Sequence, residues 1–258
     1  MVEHTLVTPV TVAKDLKVGD LGAALAAGWK DFISYPAFGL FFAGFYVAAG
    51  LLLYFALFHW GEVGWLVPAA AGFPLLAPFA AVGLYEVSRR AEAGLPMSWG
   101  TILGALRGHG DEQILSMGVI VFVAFSFWMI VAHGIFAIFQ GEAGIGSGSY
   151  ELFLSGTGLW MLIVGTIVGA LMALAFYAIT VVSLPMLVDR EVDFITAIIV
   201  SLGVIRSNRF VMLSWALMIA VLLLVALLPL FLGLLVVLPV LGHATWHLYR
   251  KAVSAPAY

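Results

Sequence analysis

Long apolar runs without a single charge alternate along this chain with short polar segments. No Asp, Glu, Lys or Arg lies between Asp31 and Glu62, between Glu62 and Glu86, from Gln113 to Gln140, from Leu152 to Val188, or from Phe210 to Tyr249. A helix needs about 20 consecutive apolar residues to cross a bilayer core. The runs therefore predict six membrane helices, at 37–58, 63–85, 114–139, 159–184, 210–228 and 230–249. Pro68, Pro74 and Pro78 predict kinks in the second, because each removes a helix hydrogen bond. The last run is about twice the length one crossing needs, and it reads as two helices turning near Pro229.

Three polar segments carry a different period. Asp20 precedes Leu21, Ala24, Leu25, Gly28 and Phe32; Ser98 precedes Trp99, Ile102, Leu103 and Leu106; Asp193 precedes Phe194, Ala197, Ile198, Leu202 and Ile205. A capping residue followed by apolar residues at i, i+3, i+4 spacing is the mark of a short amphipathic helix. Each is too short and too polar to span, which predicts helices lying at the membrane surface.

Each surface helix stands before an odd-numbered span, so the chain reads as three copies of surface helix, membrane helix, membrane helix. After a polar tail at 1–19, the copies occupy 20–95, 96–190 and 191–258 with its short end. Pro78 stands eleven residues before Arg89, as Pro239 does before Arg250. The middle copy departs from this, since Pro185 stands only five residues before Arg190. Repeats with a site between them are common in transporters; duplication for packing alone is the reading the sequence favours, because no charge lies deep in a span.

Composition agrees with lipid as the solvent. Of 258 residues, 64% are hydrophobic and 10% charged, against about 25% charged in an ordinary soluble domain. There is no cysteine, so disulfides, thiolate metal sites and cysteine nucleophiles are excluded. A net charge of −3 offers no concentrated basic patch of the kind nucleic acid requires. Residues 1–20 lack the basic start, apolar core and cleavage site of a secretory signal.

Charge position then orients the helices. All eleven Lys and Arg residues fall in the first, third, fifth and last polar segments, whereas the three opposite loops hold only Glu62, Glu142 and Glu151. The positive-inside rule places both termini in the cytoplasm. Trp60, Trp65, Trp246 and Tyr249 stand where interfacial aromatics are expected. The glycines between Gly141 and Ser149 read as a loop, since no strand precedes them and no Lys-Ser/Thr pair follows.

Candidate chemistry is sparse. His243 and His247 share a helix face at i, i+4, a spacing that can chelate a metal, but no third ligand is visible and an interfacial anchor is the simpler reading. His59 and His133 fall at compatible depth for a bis-histidine haem, with depth as the whole argument. The repeat aligns Glu86 with His247, which suggests a polar pair at the inner surface. Gly165, Gly169 and Ala173 form a small-residue stripe suited to close helix packing or a partner. No serine elbow, zinc-protease pair, phosphate loop or carboxylate dyad occurs, so no enzyme, metal or cofactor is expected.

The run from Leu238 to Arg250, with Pro78 to Arg90 and Leu184 to Asp193, resembles a bacterial family of predicted six-helix integral membrane proteins grouped as a domain of unknown function. The resemblance implies a bacterial inner-membrane location and supplies no activity, cofactor or site. The sequence thus reads as an all-α membrane protein of six transmembrane helices in three repeats. Its expected role is a non-enzymatic accessory, assembly or stabilising component of a membrane complex, with the lipid bilayer and another integral membrane protein as partners. A small transporter or lipid-handling protein is the second reading, and a haem or metal protein the third.

Overall fold

Apolar runs in a solvent that offers no hydrogen bonds must satisfy their own backbone groups, which makes them helical. The computed structural model of the protein describes residues 11–61, 77–105, 113–140 and 156–254. Its helices are α1 (Val18–Ser34), α2 (Pro36–His59), α3 (Ala77–Glu92), α4 (Trp99–Gly104), α5 (Gln113–Gln140), α6 (Gly156–Thr180), α7 (Ser183–Asp189), α8 (Phe194–Ser207), α9 (Arg209–Leu227) and α10 (Leu234–Ala252). The expectations for Pro68, Pro74 and the start of the second span, for Glu62, Arg107, Glu142 and Glu151, and for the Gly141–Ser149 loop lie outside the described residues.

Among the described residues, four helical stretches are long and apolar enough to cross a membrane: Pro36–His59, Gln113–Phe139, Gly156–Asp189 and Arg209–Leu227. The final apolar run breaks between Leu227 and Leu234, where Leu230 and Phe231 take positive φ values of 50° and 66°. Both are bulky residues in a left-handed conformation, so this turn is held against a local cost.

The helix boundaries have local causes. Pro36 starts α2 at a position where its missing N–H is not needed. Pro185 cannot donate to the Val181 carbonyl, and the chain bends at Val181 and Val182 between α6 and α7. Ser98 and Asp193 cap α4 and α8 by accepting from the Thr101 and Thr196 amides. Asp20, expected as the cap of α1, lies one turn inside instead. Lys17 is the cap residue, and the Asp20 carboxylate reaches back to accept its N–H at 2.8 Å.

Packing centres on α10. Of the expected apolar face of α1, Leu21, Ala24, Gly28 and Phe32 are buried and Leu25 is half-buried, and α1 lies across α10 at Gly28. A Cβ there would stand 2.6 Å from both the Val240 carbonyl oxygen and the Ala244 nitrogen. Helix α8 makes the corresponding contact with the α6–α7 bend, where the Ser201 hydroxyl donates to the Ala178 carbonyl at 2.7 Å and accepts from the Val182 N–H at 3.4 Å. Its buried side is therefore Ala197, Ser201 and Val204, while Leu202, expected inside, is exposed. The hydrogen-bonding need of a broken helix decides the rotation of α8. Helix α4 sits beside α3 with Trp99 against Phe38, ring centroids 4.3 Å apart.

Two short strands were not foreseen. β1 (Thr11–Val12) pairs antiparallel with β2 (Val253–Ser254), Thr11 opposite Ser254. Asn208, between α8 and α9, holds the strap that follows: its amide donates to the Ala13 carbonyl at 2.7 Å and its oxygen accepts from the Leu16 N–H at 3.2 Å.

Candidate functional site

Polar side chains gather where the basic ends of α3 and α10 meet α1 and α7. Asp31 of α1 is the hub. Its Oδ2 accepts from the Ser88 hydroxyl at 2.7 Å and from His247 Nε2 at 2.8 Å. The Ser88 oxygen also lies 2.7 Å from His243 Nδ1. A hydroxyl has one proton, and Ser88 gives it to the carboxylate, so His243 must donate through Nδ1. Its Nε2 is then the unprotonated nitrogen, and it is buried without a hydrogen-bond partner among the described residues. Because serine bridges aspartate and histidine, rather than histidine bridging the other two, the order is not that of a nucleophilic triad. Burial pushes the Asp31 carboxyl up, but hydrogen bonds from His247 and Ser88 outweigh it and hold the group below the usual carboxylate range.

An ion-pair belt surrounds this hub. Glu86, buried in α3, accepts from Arg89 at 2.7 and 2.9 Å and from Arg90 at 3.2 Å. Asp189 accepts from the Tyr249 hydroxyl at 2.7 Å and from Arg250 at 3.1 Å, and Glu92 accepts from Trp246 Nε1 at 3.0 Å and Arg250 at 3.2 Å. Lys251 pairs with Asp20. These contacts clamp α1, α3, α7 and α10 together at one end.

The expected pair of Glu86 with His247 is corrected by this geometry: Glu86 is held by its own helix's arginines, and His247 turns to Asp31. Both residues do lie in the polar layer at the basic ends of α3 and α10. They fail to meet because Arg89 and Arg90, three and four residues on, reach Glu86 within one turn.

The remaining candidates separate. His243 and His247 are committed to different oxygens, one through Ser88 and one directly to Asp31. His59 is exposed at the end of α2, and α2 packs mainly on α10 and α3, whereas His133 is on α5, whose main neighbour is α6. Among the described residues no three His, Asp or Glu side chains come together to hold a metal ion. The small-residue stripe divides as well. Gly169 lies under the Trp128 ring of α5, Gly165 has nothing within 4 Å of its Cβ position, and Ala173 lines a cavity.

That cavity, about 430 Å³, lies between α2, α3, α6, α9 and α10. Phe42, Leu84, Phe176, Leu217 and Leu241 are among its apolar walls. Three of its polar liners are satisfied within the protein: Thr180 donates to Phe176, Thr245 to Leu241 and Tyr177 to Met212, through backbone carbonyls at 2.9, 2.7 and 2.8 Å. Tyr85 also lines the cavity, and its hydroxyl has no hydrogen bond among the described residues.

Asp31 and Ser88 escaped the sequence reading because neither lies inside an uncharged run. The available signal was the spacing of Asp31 from Gly28, which puts the carboxylate one turn from the close contact of α1 with α10.

Residues 66–189 match the family described as predicted integral membrane protein (DUF2189), which bears out the resemblance to a membrane family of unknown function; the match takes in Pro78–Arg90 and stops short of the Leu238–Arg250 run. No curated protein and no solved structure matches the chain.

Proposed function

We propose that this integral membrane protein handles lipid, taking an acyl chain into the cavity between α2, α3, α6, α9 and α10. The carrying observation is the cavity itself, whose size is that of a small-molecule site and whose walls are almost wholly apolar. A polar solute would find few unpaired groups there. A hydrocarbon chain needs none.

The cavity's place in the chain supports the same reading. With 63–85 and 230–249 as spans beside the four others, its walls come from all three copies: α2 and α3 from the first, α6 from the second, α9 and α10 from the third. Gly28 and Ser201 are equivalent under the repeat, and each faces a carbonyl and the amide four residues later, Gly28 at Val240 and Ala244 of α10 and Ser201 at Ala178 and Val182 of the α6–α7 bend. A site enclosed by repeats is the arrangement expected of a carrier or lipid-handling protein. The reading carries no catalytic step, six spans and both termini on the basic, cytoplasmic side.

The test is mass spectrometry of the protein extracted in mild detergent, beside an Ala216→Trp variant that fills the cavity. Retained lipid in the native chain, lost in the variant with unchanged melting temperature, is the expected result. Native chain free of lipid, or equal lipid in both, would overturn it. A second reading, the accessory subunit, draws on α6, of whose most apolar window only 6% is buried; a stoichiometric protein partner in the same preparation would favour it. A visible absorption band would favour the haem reading.

A further inference from the structure

We propose that Lys14, Lys17, Arg206 and Arg209 form a headgroup site for an anionic phospholipid at the entrance of the α9 wall of the cavity, which rests on the lipid-handling reading above. Most described cations near the termini of α3, α7 and α10 are committed: Arg89, Arg90, Arg190, Arg250 and Lys251 each form an ion pair. These four are exposed and form none among the described residues. They are also brought together by the fold. Asn208 binds both Ala13 and Leu16, so the strap carrying Lys14 runs over the junction between Arg206 at the end of α8 and Arg209 at the start of α9. Asp20, which accepts the Lys17 backbone N–H, is occupied by Lys251, and Asp15 is the one carboxylate in the strap.

The helix dipole adds to this field. Arg209 is the first residue of α9, whose first turn holds no acidic residue, so the positive end of the dipole is reinforced instead of neutralised. Arg209 also shares a helix face with Leu213, Ala216 and Leu217, which line the cavity. A phosphate at Arg209 would thus leave its acyl chain one turn from the apolar wall. Each Lys or Arg near an anionic lipid surface contributes roughly 1 kcal/mol, and four clustered charges should discriminate headgroups of the same chain length.

The experiment uses delipidated full chain titrated with phosphatidylglycerol and with phosphatidylcholine of identical acyl chains, followed by native mass spectrometry. The expected result is at least about tenfold tighter binding of phosphatidylglycerol, with the preference shrinking as salt shortens the Debye length. The K14Q/K17Q/R206Q/R209Q variant should bind both lipids equally, and the charge-keeping K14R/K17R/R206K/R209K variant should keep the preference, which separates charge from misfolding. Equal binding of the two lipids by the native chain, or an undiminished preference in the Gln variant, overturns the headgroup site while leaving the cavity reading intact. Full displacement of phosphatidylglycerol by glycerol phosphate alone would make this a soluble-anion site and overturn it too. Loss of both lipids in Ala216→Trp keeps the acyl site; retention of both there counts against the cavity and not against the charges.

Discussion

Helices α10 and α6 invert the rule of soluble proteins. The span containing α6 has a mean hydropathy of 2.4, yet only 6% of its window is buried. Helix α10 carries two histidines, a threonine and a basic pair, and buries twelve residues, among them Trp246, Tyr249 and His243. In lipid there is no hydrophobic drive to hide apolar surface, so association follows close backbone approach and polar contacts. Helix α10 has both: Gly28 brings α1 onto its backbone, and Asp31, Ser88, Glu92 and Asp189 hold its polar side chains. Helix α6 has a comparable close contact at Gly169, beneath Trp128.

The comparison breaks most sharply at its two glycines. Gly28→Leu forces carbon into two backbone atoms that cannot move aside, and should cost about 3 kcal/mol or more, seen as a large drop in melting temperature in detergent. Gly165→Leu meets open space and should stay within about 0.5 kcal/mol. Similar losses in the two would mean that α6 is as tightly held as α10.

The polar half of the comparison is sharpened at Asp31. Asp31→Ala strands the buried Ser88–His243 pair and should cost about 2 kcal/mol, with Asp31→Asn in between because its oxygen still accepts from Ser88. Equal melting temperatures for native and Ala forms would remove Asp31 as the hub.

A smaller effect appears with acid. A carboxyl held below its unfolded value contributes stability above that value and loses it as pH falls through the folded one. The native protein should therefore lose melting temperature as the pH drops from about 5 to 3, and Asp31→Asn should lose less. Parallel curves would assign the acid response to other carboxylates, such as Asp193, which hydrogen bonds from Thr196 also hold low.

The smallest expected change is at Glu86. Replacement of His247 by Gln should leave the Glu86 pairs with Arg89 and Arg90 untouched, so the double variant with Glu86→Gln should be additive within about 0.5 kcal/mol. Coupling beyond that would restore the pairing the repeat suggested.

Much of the architecture was legible because membrane helices announce themselves locally. Charge-free runs marked the four described stretches long and apolar enough to cross, and Ser98 and Asp193 marked caps. The faces were less legible. Leu202 was expected inside α8; the structure buries Ser201 instead, because the bend beside Pro185 leaves backbone groups that its hydroxyl serves. The site was least legible of all, since Glu86 and His247 were paired by repeat position while their actual partners were set by reach across helices.

What the sequence determined alone is the solvent each segment meets, because a run without charge is stable only where no water competes and its helix closes every backbone hydrogen bond internally. Which helix lies against which was decided by tertiary structure. Apolar side chains in lipid do not distinguish one neighbour from another, so the choice fell to a few glycines that admit a backbone, to a carboxylate that gathers a serine and a histidine, and to an asparagine that draws the chain's first described strap over α8.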